Sequence, residues 1–233
     1  MKEVSVICSV MDRESILELS LYSWLKFEEI KEIIICDWSS TRSLFSLAKK
    51  DNRIKIIRVE GERNFNISAS FNLASDMCQC SEILKLDVDY FLNPYYNFFD
   101  FYEINENCFL TGTWKYEIPT LMYLNGMIYI KKENFQKVNG YREDLASYGH
   151  EDTDLYERLQ KQLDLKHLVM ENNHIVFHIP HEDSKRSENY AEKCIKKTLR
   201  ENAIKCDKDF KNERIFDWKI RKVGDRNYIG NKI

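Results

Sequence analysis

Glycine and proline are scarce, 7 and 3 in 233 residues, which argues against disorder and against repeat-rich β architecture. Long hydrophobic runs are lacking too, so no membrane span is expected. The apolar opening turns polar at residues 11–14, before an export segment could form, and no signal peptide is expected. Charge of one sign is equally short: 35 Lys and Arg face 38 Asp and Glu, interspersed, for a net charge of −3. Without a basic stripe, a nucleic-acid partner is not expected. The seven cysteines are odd in number and irregular in spacing, so they make no disulfide framework. Cys8 and Cys36 sit in apolar runs as small hydrophobes, and Cys78 with Cys80 has no second pair to complete a zinc site. A reducing, cytoplasmic setting is the expectation.

What is present is an aromatic-rich chain (13 Tyr, 13 Phe, 4 Trp) of a length that suits one α/β domain with an extension. Val4–Val10 is β-branched and apolar throughout, as a buried parallel strand is. Apolar residues from Ile16 to Leu25 then recur at helical spacing over residues 14–26. Strands follow at 32–36, Ile54–Val59 and 82–86, with helices at 41–50 and 67–77 between them. Repeated β-α-β crossovers predict a mostly parallel sheet with helices on both faces, and ligands bind beyond the carboxyl ends of such strands. Asp12 and Arg13, Asp37, and Asp87 with Asp89 are therefore expected to converge on one crevice. In the second half, strands are predicted at 108–115, 121–131 and 175–178. Helices are predicted at 132–138, Glu151–Leu163 and 187–202. The expected organisation is a catalytic domain over 1–184, with a nucleotide-binding half (1–92) and an acceptor-binding half (93–184), followed by a helical extension over 185–233.

Three constellations carry chemistry. Asp87-Val88-Asp89 closes an apolar strand, where carboxylates suit a hard divalent cation and its attached phosphates; a solvated acidic turn is the plain alternative. Glu151-Asp152-Thr153-Asp154 opens a helix after Tyr148-Gly149-His150. Acids are favoured there by the helix dipole whatever the function, yet one of them could be a general base for an acceptor hydroxyl. His178-Ile179-Pro180-His181 places two imidazoles close together after a strand, as structural histidines or as metal ligands.

Three stretches carry a family resemblance. They are Leu124-Asn125-Gly126-Met127-Ile128-Tyr129-Ile130, then Phe135-Gln136-Lys137-Val138-Asn139-Gly140-Tyr141, then Tyr148-Gly149-His150-Glu151-Asp152-Thr153-Asp154-Leu155. In order and spacing they resemble the galactosyltransferase-type region of β-1,4-galactosyltransferases and of family-2 bacterial polymerases of the chondroitin-synthase kind. The resemblance implies a GT-A fold and an inverting, metal-dependent glycosyltransferase. Such an enzyme would move a hexose or N-acetylhexosamine from a UDP-sugar to a glycan or other hydroxyl-bearing acceptor.

By the same resemblance Asp152 is the catalytic base and Glu151 the neighbouring acid that holds the acceptor. Asp89 with His178 and His181 would bind Mn²⁺ or Mg²⁺, while Asp87 and Val88 line the ribose and phosphates. Arg13, Asp37, Phe65 and Asn66 would contact the nucleotide, and Tyr148 and Gly126 the acceptor. The chain departs from the family pattern at Tyr148 (usually Trp), Ser147 (usually Gly), Ile67 (basic in some members) and Trp38 (usually Gly). Two other readings are weighed against this one. A binding module that has lost catalysis would be expected to have lost one of the acids or histidines. A nucleotidyltransferase would need a Gly- and Lys-rich loop after the first strand, which Ser9–Glu14 does not supply. Lys219, Arg221, Lys222 and Arg226 make the end of the chain mildly basic, and a peripheral contact with an anionic surface is a further expectation.

Overall fold

The structure is a computed structural model and describes residues 2–113, 123–145, 148–172, 174–182, 188–206 and 213–233. Strand β1 (Val4–Val10) is buried at every position and β2 (Ile30–Trp38) at all but Lys31. Such strands must be covered on both faces. Alternation along β1 sends Val4, Val6, Cys8 and Val10 into a layer with helix α1 (Glu14–Trp24). Ile7 goes into the opposite layer with helix α2 (Ile67–Asp76). Strands β3 (Ile54–Val59) and β4 (Glu82–Lys85) complete the parallel unit in the order β3-β2-β1-β4. Because the order reverses between β2 and β4 about β1, a crevice opens beyond the carboxyl ends of β1 and β4.

Beyond β4 the sheet continues through β7 (Ile128–Lys131), β6 (Cys108–Thr111) and β8 (Lys166–Val169). β7 runs antiparallel to both of its neighbours, while β8 is parallel to β6. A separate two-stranded ribbon pairs β5 (Tyr90–Leu92) with β9 (Val176–His178), antiparallel, with Tyr90 opposite His178. Short helices α3 (Phe98–Phe101) and α4 (Lys132–Lys137) connect elements of the second half, and α5 (Glu151–Leu163) packs beside it. The expected mixed α/β sheet, mostly parallel and flanked by helices, is the observed one.

The departures have local causes. Residues 41–50, expected as a helix, form only a 3₁₀ turn at Phe45–Lys49. Asp37 accepts hydrogen bonds from Ser40 and Leu44 backbone N–H groups and ties this connection down as a tight turn. The strands expected over 108–115 and 121–131 run partly outside the described residues, as does the loop at 114–119 to which an acceptor pocket was ascribed.

The chain end differs most. Helix α6 spans Ile195–Cys206, and two strands, β10 (Trp218–Lys222) and β11 (Asn227–Lys232), then join the main sheet, with β11 parallel to β3. The expected helical extension is therefore only partly helical, and its last residues complete the sheet. Lys219 and Arg221 share one face of β10 and Lys222 the other. Arg226 pairs with Asp225 and donates to the Ala48 carbonyl. The four bases do not form one cluster, and the structure offers no support for a surface contact there. All seven cysteines are free, and no described helix is long and apolar enough to cross a membrane.

Candidate active site

Two strand ends and one helix start build the cleft. At the end of β1, Ser9, Val10 and Met11 form one wall, and Asp87, Val88 and Asp89 follow β4 as the floor. The segment after β4 is held from beneath by α1: Ser20 Oγ donates to the Val88 carbonyl at 2.7 Å and Trp24 Nε1 to the Tyr90 carbonyl at 2.8 Å. The opposite wall is Asn125, Gly126, Tyr148, Glu151 and Asp152, and the cleft holds a cavity of about 140 Å³.

Asp89, His178 and His181 meet at one end. The β5–β9 ribbon carries His178 to this point, and the Ile179 N–H donates to the Asp89 carbonyl at 2.7 Å. His181 Nε2 lies 2.9 Å and His178 Nε2 3.7 Å from Asp89 Oδ2, and one donor atom from each residue falls within 4.8 Å of the others. Burial pushes the Asp89 carboxyl up, but the two imidazoles outweigh it and hold it well below the usual carboxylate range. One carboxylate and two imidazoles converging from one side are a donor set that fits a divalent transition-metal ion and leaves positions for phosphate oxygens. Arg13 Nη1 stands 3.5 Å from the same Asp89 oxygen.

At the other end α5 begins. His150 is left-handed (φ 71°) after Gly149 (φ 99°), and this turn directs Glu151 and Asp152 into the cleft. Helix α6 holds the turn from outside, with Thr198 Oγ1 donating to the Tyr148 carbonyl and Asn202 Nδ2 to the Gly149 carbonyl. A side chain at Gly149 would collide with Leu199, its Cβ only 2.3 Å from Leu199 Cδ2. Gly126 sits between the two ends: a Cβ there would lie 2.8 Å from Asp87 Oδ2 and 3.2 Å from Asp152 Oδ2.

Burial, reinforced by neighbouring Asp152, pushes the Glu151 carboxyl up to about 8, and one of its oxygens, Oε2, is buried without a hydrogen-bond partner. Burial likewise raises Asp152 to about 6, with Lys85 pulling it down and Asp87 pushing it up. The native fold thus retains protons that the unfolded chain has released. The stability this contributes is complete below the ordinary carboxylate range and is lost as pH rises through about 8 for Glu151. Glu151→Gln is therefore expected to stabilise the protein at pH 9 by roughly 2–4 kcal/mol, and hardly at all at pH 4.5. Thermal unfolding at both values checks it; an equal shift at both would mean that ionisation is not the cause.

Of the residues singled out in the sequence, Arg13, Phe65, Asp87, Val88, Asp89, Gly126, Tyr148, Glu151, Asp152 and His181 line this one cleft. His178 joins through Asp89. Asp37 does not: it is fully buried, paired with Arg58 at 2.5 Å, and its oxygens are taken by backbone N–H groups. Asp12 turns to the neighbouring loop, where its Oδ1 accepts from the Thr41 N–H at 2.7 Å. Asn66 caps α2, accepting from the Ala69 N–H at 3.0 Å, and does not line the cleft. Ser147 lies outside the described residues.

Sequence reading passed over Lys85, Tyr90, Tyr123, Asn189 and Tyr190, all of which line the cleft. The Tyr190 ring packs tilted against Phe65 and edge-on to Tyr148, with centroids 5.6 and 6.1 Å apart. Asn189 is bound to the cleft wall by hydrogen bonds with Met11 and Phe65. No motif marks these two, because they come from far along the chain. Lys85 had a signal: a charged residue between Leu84 and Leu86 in a buried strand needs a buried partner.

Residues 109–182 match the family model described as the N-terminal domain of galactosyltransferase. The catalytic domain of Drosophila β1,4-galactosyltransferase 7 in complex with xylobiose is similar in structure, with a TM-score of 0.63 at 16% identity. The match covers 100% of this chain and 94% of that one. A mutant of the same Drosophila enzyme in complex with manganese, UDP-Gal and xylobiose gives 0.64 at 15%, with the same coverage. The mannosyltransferase PcManGT from Pyrobaculum calidifontis, in complex with GDP-Man and Mn²⁺, gives 0.61 at 14%, over 78% of this chain and 58% of that one. No curated protein sequence matches the chain. The fold is GT-A, and together with the family match it defines the class: a glycosyltransferase. Within that class, residues 109–182 are the part that is similar to the galactosyltransferase model.

Proposed function

We propose that the protein is an inverting, metal-dependent glycosyltransferase. It transfers a hexose or N-acetylhexosamine from a UDP-sugar to a hydroxyl of a glycan or other acceptor. The observation that carries this reading is the cleft itself, with the Asp89-His178-His181 cluster at one end and Asp152 at the other. A diphosphate leaving group needs its charge neutralised, and an incoming hydroxyl needs a base on the far side of the sugar.

Asp89, His178 and His181 would hold Mn²⁺ or Mg²⁺, which when bound supplies Lewis-acid neutralisation of the diphosphate. Arg13, Phe65, Asp87 and Val88 line the cleft; Arg13 and Phe65 would flank the nucleotide, and Asp87 and Val88 would meet its ribose and phosphates. Tyr148 and Gly126 border the acceptor side. Asp152, ionised above about pH 6, takes the proton of the attacking hydroxyl. Glu151, protonated at neutral pH, donates a hydrogen bond to an acceptor oxygen through Oε2, the carboxyl oxygen that has no hydrogen-bond partner. The free cysteines agree with a reducing, cytoplasmic location.

The purified protein titrated with a panel of UDP-sugars, with and without Mn²⁺, tests the proposal. Mn²⁺-dependent binding with slow release of UDP into water is expected, together with an anomer opposite to that of the donor once an acceptor is supplied. Binding without any turnover would identify a catalytically inactive module, and no binding at all would overturn both the donor and the metal assignments.

A further inference from the structure

Lys85 is the last residue of β4, and only 1% of it is exposed. Its backbone is clamped in the middle of the sheet, opposite Ile7 on β1 and Ile128 on β7. A buried ammonium is costly unless its three donors are met. Here Nζ donates to the Gly126 carbonyl at 2.6 Å and stands 3.0 Å from Asp87 Oδ1 and 3.4 Å from Asp152 Oδ1. The Phe71 ring lies beneath it, 4.5 Å from Nζ to the centroid. The charge is thus placed between Asp87, just past β4, and Asp152 in the first turn of α5.

The same arrangement decides which oxygen of Asp152 is free. Oδ1 receives both Lys85 and the Tyr141 hydroxyl, the latter at 3.1 Å. Oδ2 faces Gly126 and the cleft. Two donors on one oxygen fix the carboxylate plane and leave the second oxygen as the acceptor of a proton. The groups facing Asp152 are Lys85, Asp87, Glu151, Tyr90, Tyr141, Tyr156 and Tyr190. Among these, Lys85 is the cation.

Resting on the functional reading above, we propose that Lys85 is a positioning residue of the transfer reaction, its ammonium fixing Asp152 so that Oδ2 receives the acceptor proton. In that step the acceptor O–H bond breaks and its proton passes to Oδ2. The oxygen's electron pair forms the new bond to C1 of the sugar as the bond from C1 to the diphosphate oxygen breaks. The leaving electron pair departs with UDP.

Lys85→Met and Lys85→Arg, compared with wild type across pH, test this. Lys85→Met is expected to lower kcat about 10²-fold while the donor Kd changes by less than about fivefold. Its acid limb should move up by at least about one pH unit, because Asp152 loses its counter-charge. Lys85→Arg should return the acid limb most of the way to its wild-type position, which a merely structural residue would not do. An active wild type with kcat and acid limb unchanged in Lys85→Met overturns the inference alone. A wild type that transfers no sugar overturns the functional reading and this inference with it.

Should Lys85→Met fail to fold, the wild type itself decides. The ¹⁵N resonance of the Lys85 ammonium should shift as Asp152 ionises, and the shift should vanish in Asp152→Asn. An ammonium signal indifferent to Asp152 overturns the inference.

Discussion

Asp152→Asn is expected to lower kcat by about 10³-fold while changing the affinity for a UDP-sugar by less than about threefold. The substitution keeps the shape that fills the space beside Gly126 and removes only the ability to accept a proton. A base acts in the transition state and contributes little to the ground state, so the loss belongs in kcat and not in donor binding. The wild-type rate should rise through about pH 6 as Asp152 ionises and fall through about pH 8 as Glu151 loses the proton it donates. Single-turnover kinetics and donor titration on the same preparation check both parts. A kcat within fivefold of wild type would remove Asp152 from the role of base.

Asp89→Ala is expected to abolish Mn²⁺-dependent donor binding, raising the Kd for a UDP-sugar about 10²-fold or more in saturating Mn²⁺. Asp89 is the charged member of the cluster, and both imidazoles are oriented on its Oδ2. Without it, only two imidazoles would remain to hold a cation between the diphosphate and the nearby Asp87. The same variant should lose the Mn²⁺-induced rise in melting temperature, because only a ligand that binds the native state shifts it. Calorimetric titration and thermal melts, with and without chelator, measure these effects. A Mn²⁺-induced rise that survives the substitution would place the metal elsewhere.

The parallel unit was legible because its signals are local. β1 and β3 begin and end where their apolar runs do, and α5 spans the residues its acidic first turn and apolar spacing mark. Of the ribbon, β9 matches the short strand expected at 175–178, whereas β5 has three residues, too few for a period to register. The β10–β11 hairpin was missed for another reason. Its residues are mostly polar because it extends the sheet's edge beside β3, and only Gly230 is buried in β11. Asp37 and Asn66 show the limit of motif reasoning: a residue at the expected place can be consumed by local hydrogen bonding, as a turn anchor or a helix cap.

By itself the sequence determined the alternation of buried strands and amphipathic helices, since burial on two faces demands continuous apolar runs. It also determined which acids end β4 and open α5, because spacing along the chain is a local property. Only the tertiary structure decided that residues 92 positions apart, Asp89 and His181, share a hydrogen bond. It alone placed Tyr190 over the cleft and aimed a buried lysine at the acid of a distant helix. Those contacts depend on strand order and ribbon pairing, which are set by the packing of the whole chain and leave no period in the sequence.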